Sequence, residues 1–154
     1  MGNLFRVRRL ALTLSVTVLA LAGIAAIAVA AAATLGTGTA KVSGKNKTVV
    51  VNSGGVTLYT LSGEFVGRRT TLKCQTQACF GFWPPYKVSA SEKLTKTRAV
   101  RGSLGKLRRV RGGFSQVTLD GHPLYRFAGD NNKKGSATGE GVKSFGGTWH
   151  VVNP

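Results

Sequence analysis

One segment of the chain occurs twice, and this duplication constrains the fold more than any other feature. The run Leu-Tyr-Thr-Leu-Ser-Gly-Glu at residues 58–64 corresponds to Leu-Tyr-Arg-Phe-Ala-Gly-Asp at residues 124–130. In both copies a Trp follows the Tyr by 24 positions. The same offset of 66 residues superposes the following pairs: Tyr59 and Tyr125, Trp83 and Trp149, Val51 and Val117, Gly55 and Gly121, Gly81 and Gly147. A spacing held at so many Gly, Tyr and Trp positions is typical of a duplicated structural unit.

The beginning of the chain has the pattern of an export signal or a membrane anchor. Arg6, Arg8 and Arg9 are followed by 24 uncharged residues at 10–33. This run exceeds the roughly 7–15 residues of a signal-peptide core and reaches the roughly 20 that span a bilayer as a helix. Small residues at 31–33 and 38–40 resemble cleavage sites, so both cleavage and retention stay open. We predict a signal peptide or signal-anchor over residues 1–40, which places the protein outside the cell or on the outer face of the cytoplasmic membrane.

The remaining 114 residues are enough for one small domain, and they are strongly basic. Of the 22 Lys and Arg, three lie in the first segment, which leaves 19 against 5 acids and a charge near +14. Such a charge attracts polyanions. Anionic lipid surfaces and envelope polymers are the partners that an exported protein can reach. Nucleic acid is not an expected partner, because no residue pattern suggests base recognition.

Strand and turn signals predict an all-β domain. In the first copy, β-branched strands at 48–51 and 56–61 flank a Gly-rich turn. In the second copy, residues 114–119 alternate apolar and polar, Asp120-Gly121 is a hairpin turn, and residues 122–127 form the return strand. A Gly pair at 112–113 joins a strand at 104–110 to this hairpin and extends it into a meander. The last predicted strand spans residues 148–152.

Two tandem hairpin or meander repeats in one domain are therefore expected behind the N-terminal hydrophobic helix. We predict the following boundaries: a tether at 41–47, repeat one at 48–88, a basic connector at 89–113 and repeat two at 114–154. Residues 131–143 contain almost no apolar side chains and predict a surface loop.

The basic connector and the strand after it are candidates for an anion-binding face. That face would comprise Lys96, Arg98, Arg101, Lys106, Arg108, Arg109 and Arg111. The alternative is a solvated edge strand, whose charges prevent edge-to-edge pairing with other sheets.

The repeated tyrosines and acids allow two interpretations. Tyr59 with Glu64, and Tyr125 with Asp130, would form polar ligand sites, or each tyrosine would pack its ring while the acid satisfies turn amides. Repetition favours the architectural interpretation, because a catalytic site seldom needs duplication. Trp83 and Trp149, with neighbouring aromatic residues, are likewise expected in the core rather than on a platform for sugars or a redox partner.

The cysteines suggest a disulfide. Cys74 and Cys79 are the only two, and in an oxidising compartment such neighbours usually pair. A zinc site would need both cysteines to converge with His122 and His150, which are distant in sequence. We predict no metal and no cofactor. No nucleophile or phosphate-binding motif is present, so we expect no enzymatic activity.

The segments 83–85, 120–130 and 145–152 resemble bacterial secreted-repeat proteins, many of them predicted lipoproteins, that carry a Tyr-x4-Asp motif. The resemblance covers about residues 48–154 and implies no established biochemical activity. This chain departs from the family at Glu64, which replaces the first Asp, and in lacking a lipobox cysteine. We expect an exported envelope protein that binds an anionic polymer or a protein partner, with a redox or metal-associated protein as the alternative.

Overall fold

A computed structural model describes residues 32–154, which are mostly β-structure with a single short α-helix in that range. The strands are β1 Leu35–Val42, β2 Lys45–Asn52, β3 Tyr59–Leu61, β4 Lys87–Val88, β5 Leu104–Arg109, β6 Phe114–Leu119, β7 His122–Pro123, β8 Lys143–Ser144 and β9 Gly147–Val151. The α-helix α1 spans Gln77–Phe82, and a 3-10 turn spans Ala128–Asp130. The all-β prediction is confirmed for this part of the chain.

The hydrophobic segment at 10–33 lies almost entirely outside the described residues. Within residues 32–154, no helix is long and apolar enough to cross a bilayer.

Strands β1 and β2 form a hairpin, which corrects the tether predicted at 41–47 and the start of the domain at residue 48. The strands pair along their whole length, from Leu35 opposite Asn52 to Val42 opposite Lys45. The turn at Ser43 and Gly44 has φ values of 48° and 81°, and positive values at both positions are what a two-residue hairpin turn requires. Polar and basic composition concealed this hairpin, because its outer residues face solvent.

The second hairpin has the turn that the sequence predicts. Strand β6 coincides with the predicted strand, it pairs with β5, and Asp120 and Gly121 have φ values of 48° and 78°. The return strand is shorter than predicted: β7 ends at Pro123. Beyond it, Tyr125 forms isolated bridges with Tyr59 and Pro85 instead of continuing along β6.

Each repeat pairs its tyrosine segment with a segment of the other repeat. In repeat one, Tyr59 pairs with Val151 of β9, and in repeat two Tyr125 pairs with Pro85. Residues 85 and 151 are related by the same 66-residue offset as the tyrosines. The tyrosines also pair with each other, since each backbone N–H donates to the other's carbonyl at 2.9 Å. Each repeat therefore completes the other, and both lie in one compact unit.

The hydrophobic core consists of two clusters, on opposite faces of the segments that carry the two tyrosines. Successive side chains in a strand point to opposite faces. Leu58 and Leu124 accordingly lie in one hydrophobic cluster with Val50 and Val117, whereas Tyr59 and Tyr125 lie in the other with both tryptophans. The repeated Leu-Tyr dipeptide thus contributes one residue to each cluster in each copy.

Helix α1 was missed by the sequence-based prediction. It has only six residues, too few to display a helical period. Its N-terminus is capped by Thr76, whose Oγ1 accepts a hydrogen bond from the Cys79 N–H at 3.2 Å. The disulfide between Cys74 and Cys79 is present, as predicted, and it joins the start of this segment to the helix.

Candidate functional site

The tyrosine and carboxylate motifs pair across the repeats. The Tyr59 hydroxyl donates to Asp130 Oδ2 at 2.5 Å, and the Tyr125 hydroxyl donates to Glu64 Oε2 at 2.8 Å. The pairs predicted within each repeat, Tyr59 with Glu64 and Tyr125 with Asp130, are therefore corrected. The exchange follows from the fold, because the segments that carry Tyr59 and Tyr125 lie side by side and run in opposite directions.

Each acid also binds the loop that follows it. Glu64 Oε1 accepts the backbone N–H groups of Lys73 and Cys74 at 2.7 and 2.8 Å. Asp130 Oδ1 accepts from the hydroxyl of Ser136 at 2.6 Å and from the hydroxyl and N–H of Thr138 at 2.7 and 2.9 Å. Two loops are thus fixed to the core through carboxylates.

Burial and these bonds set the protonation of the pairs. Burial and the bond to Asp130 hold the pKa of Tyr59 well above the ordinary value of a phenol. Burial and the Glu64 charge do the same for the pKa of Tyr125. Burial raises the pKa of Asp130, but hydrogen bonds from Ser136, Tyr59 and Thr138 outweigh it and keep that pKa below its ordinary value. Both phenols therefore remain donors.

No ligand can reach these groups directly. Tyr59 and Tyr125 are 0% exposed, and Glu64 and Asp130 are 1% and 2% exposed. The tryptophans are equally buried: Trp83 and Trp149 stack with ring centroids 3.8 Å apart and planes 4° from parallel. This geometry favours the architectural interpretation of all six motif residues.

One of the seven predicted anion-binding residues is not on the surface. Arg109 is buried, and its guanidinium donates to Gln116 Oε1, the Cys74 carbonyl and the Tyr125 hydroxyl, so it belongs to the core network. Lys96 donates to the Val100 carbonyl, and Lys106 donates to the carbonyls of Ala90 and Glu92. Five of the seven are exposed, namely Lys96, Arg98, Arg101, Arg108 and Arg111, and Lys106 is partly buried. Strand β5 lies at the edge of its sheet, which agrees with the edge-strand alternative.

Each candidate metal ligand has another partner in the structure. Both cysteine sulfurs are in the disulfide. His122 Nδ1 lies 2.8 Å from the Glu64 carbonyl, and His150 Nδ1 lies 3.0 Å from Glu140 Oε1. Among residues 32–154, no group of three or more His, Cys, Asp or Glu is arranged to hold a metal ion.

A basic cleft of about 600 Å³ lies beside the buried network. Segments from α1, β4, the β5–β6 turn and the residue after Tyr125 contribute to it. Its lining contains three cations and no carboxylate; the cations are Lys87, Arg111 and Arg126. Aromatic and amide side chains complete the lining, namely Phe80, Tyr86, Phe114, Asn52, Gln75 and Gln77, with Pro84 and Pro85.

Residues 109–153 match a family model described as a secreted repeat of unknown function. The match starts at the buried Arg109 and covers repeat two up to residue 153. It confirms the resemblance proposed from the sequence over that range. The description as secreted agrees with an exported protein. No curated protein and no solved structure matches the chain.

The matched segment contains half of each crossed pair and part of the cleft. Tyr125 and Asp130 fall inside it, whereas their partners Glu64 and Tyr59 fall in repeat one. Sequence analysis found the motif residues but missed two cleft cations, Lys87 and Arg126. No signal in a single sequence shows which of 19 cations converge, because their convergence depends on the pairing of segments between the repeats.

Proposed function

We propose that the protein is an exported, non-enzymatic binding module that holds an anionic polymer of the cell envelope. The secreted-repeat match supports export. The charge distribution over the surface supports the ligand class, and it is the observation on which the proposal depends.

The fold concentrates positive charge on the surface. Residues 32–154 contain 19 Lys and Arg and all 5 acids of the chain. Arg109 is buried, and so are Glu64 and Asp130. This leaves 18 cations and three acids on the surface, a larger imbalance than the sequence alone suggests. Like charges held together attract polyanions at long range. Their mutual repulsion is relieved when the polymer binds.

The remaining acids are bonded to the backbone, which supports a non-catalytic role. Asp120 accepts from the Ser103 N–H at 2.7 Å, and Glu140 accepts from the Val151 N–H at 2.7 Å. Glu92 accepts from the Ser89 N–H at 3.4 Å. Together with the buried pairs, these contacts account for every carboxylate of the described residues. All five serve the structure of turns, strands and loops.

Binding to envelope material tests the proposal. The full chain, purified in a nonionic detergent, is titrated against cell-wall preparations at several salt concentrations. We expect affinity to fall steeply between about 50 mM and 200 mM salt, because polyanion binding releases condensed counterions. Affinity that does not change with salt would contradict the electrostatic basis. Equal affinity for neutral and anionic polymers would contradict it too. Binding to anionic vesicles but not to wall polymers would identify a membrane surface as the partner instead.

A further inference from the structure

We infer that the basic cleft is a binding site for an acidic sugar polymer, whose rings carry carboxylate or phosphate groups. The inference rests on the proposed function and adds a location and a ligand class to it. Nothing in the family description assigns a site or a ligand.

The cations of the cleft are positioned by neighbouring groups. The Lys87 ammonium lies over the Phe114 ring at 4.4 Å from its centroid. One guanidinium nitrogen of Arg126 donates to Asn132 Oδ1 at 2.7 Å, which fixes the side chain and leaves its other donors for a ligand. Arg111 precedes the glycine turn between β5 and β6 and is exposed. Guanidinium groups recognise carboxylate and phosphate through paired hydrogen bonds.

The rest of the lining suits a sugar ring. A pyranose has apolar C–H faces and hydroxyl edges, so it binds between rings and amides. Phe80 and Phe114 meet edge-to-face at 6.0 Å, and both line the cleft with Tyr86. Gln75 and Gln77 offer both donors and acceptors to hydroxyl groups. Small-ligand sites commonly combine apolar walls with a few such polar groups.

Shape favours a polymer over a bilayer. A concave site admits a chain of rings, whereas a membrane presents a flat layer of headgroups. The exposed cations elsewhere on the domain would serve a flat surface equally well. The disulfide supports the cleft, because it joins Cys74, next to Gln75, to the helix that carries Phe80. The loop that carries Gln75 and the helix that carries Phe80 are therefore tied together.

Two charge-matched variants of the full chain test the site. The cleft variant carries Lys87→Gln, Arg111→Gln and Arg126→Gln. The control variant carries Lys45→Gln, Lys93→Gln and Lys143→Gln, which are exposed and outside the cleft lining. Polygalacturonate is the probe that has rings and carboxylates. Polyphosphate has charge without rings, and dextran has rings without charge.

We expect the cleft variant to lose at least about ten-fold in affinity for polygalacturonate, because charged hydrogen bonds are lost, while the control loses far less. Phe114→Leu should weaken polygalacturonate binding more than polyphosphate binding, because both probes lose the ring that positions Lys87 but only polygalacturonate also loses a ring contact. Equal losses in both triple variants would overturn the site but keep the proposed function. Absence of salt-dependent binding by the parent protein would overturn both. Preference for polyphosphate, or for phosphatidylglycerol vesicles, would overturn the sugar class.

Discussion

Double-mutant cycles on the buried tyrosines test the crossed pairing directly. Tyr125→Phe removes a hydroxyl that donates to Glu64 at 2.8 Å and accepts from Arg109 at 2.6 Å. A hydrogen bond to a charged group stabilises by about 1.5–3 kcal/mol, so losing two such bonds costs about 3–4 kcal/mol, allowing for partial relaxation. Tyr59→Phe loses one strong bond, to Asp130, and costs about 2 kcal/mol.

These losses are measurable in a small domain. Total stability is about 5–15 kcal/mol, so the single variants should still fold. At roughly 4 °C of Tm per kcal/mol for a domain of this size, Tyr125→Phe lowers the Tm by about 12–16 °C and Tyr59→Phe by about 8 °C. Urea unfolding gives the free energies from which the couplings are calculated.

The couplings distinguish the two pairings. Combined with Glu64→Gln, Tyr125→Phe should show a coupling of about 1–2 kcal/mol, because both changes remove the same bond. Combined with Asp130→Asn, Tyr125→Phe should show a coupling of less than about 0.5 kcal/mol. Tyr59→Phe should couple strongly with Asp130→Asn and weakly with Glu64→Gln. Tyr86→Phe is the control, since its hydroxyl donates to the Thr34 carbonyl and to neither acid. Strong coupling of each tyrosine to the acid of its own repeat would refute the crossed arrangement.

Three further predictions concern the same domain. Ser136→Ala removes a hydrogen-bond donor to Asp130. The lowered pKa of Asp130 contributes stability that is present above about pH 4 and is lost as the pH falls through the pKa of the folded state. Acid unfolding of the variant, followed by circular dichroism, should therefore begin at a higher pH. A fragment of residues 34–154 should melt cooperatively, whereas residues 41–154, which lack most of β1, should not; equal Tm values would contradict the role of that strand. Gly139→Ala should lower the Tm, because a Cβ there would lie 2.8 Å from the Trp83 ring; an unchanged Tm would show that the packing relaxes.

Local features of the fold could be predicted from the sequence. The turn at Asp120 and Gly121 and the boundaries of β6 depend on local backbone preferences and on alternation, which a sequence displays directly. The disulfide was equally accessible, because only two cysteines were present. The β1–β2 hairpin was missed because its polar residues resemble a linker. Its two-residue turn also lacks the usual Asn-Gly or Asp-Gly pair.

The candidate site could not be predicted in the same way. Tyr59, Glu64, Tyr125 and Asp130 were recognised as a motif, but sequence proximity suggested the wrong partners. The correct partners depend on the antiparallel contact between distant strands, and no local signal encodes that contact. The sequence likewise predicts Arg109 on the surface, because no local signal shows the distant groups that surround it. Its burial depends on the Tyr125 hydroxyl and Gln116, which satisfy its donors in the core.

The crossed pairs connect the architecture to the proposed function. A buried carboxylate needs strong donors, and here each one receives a phenol from the other repeat as well as two or three donors from its own loop. A single repeat has no partner for either its tyrosine or its acid, which gives a physical reason for the duplication. The same arrangement removes Glu64 and Asp130 from the surface, while buried Arg109 removes only one cation. The network that closes the core therefore also leaves the exterior more positive, and a surface of that kind is suited to binding a polyanion.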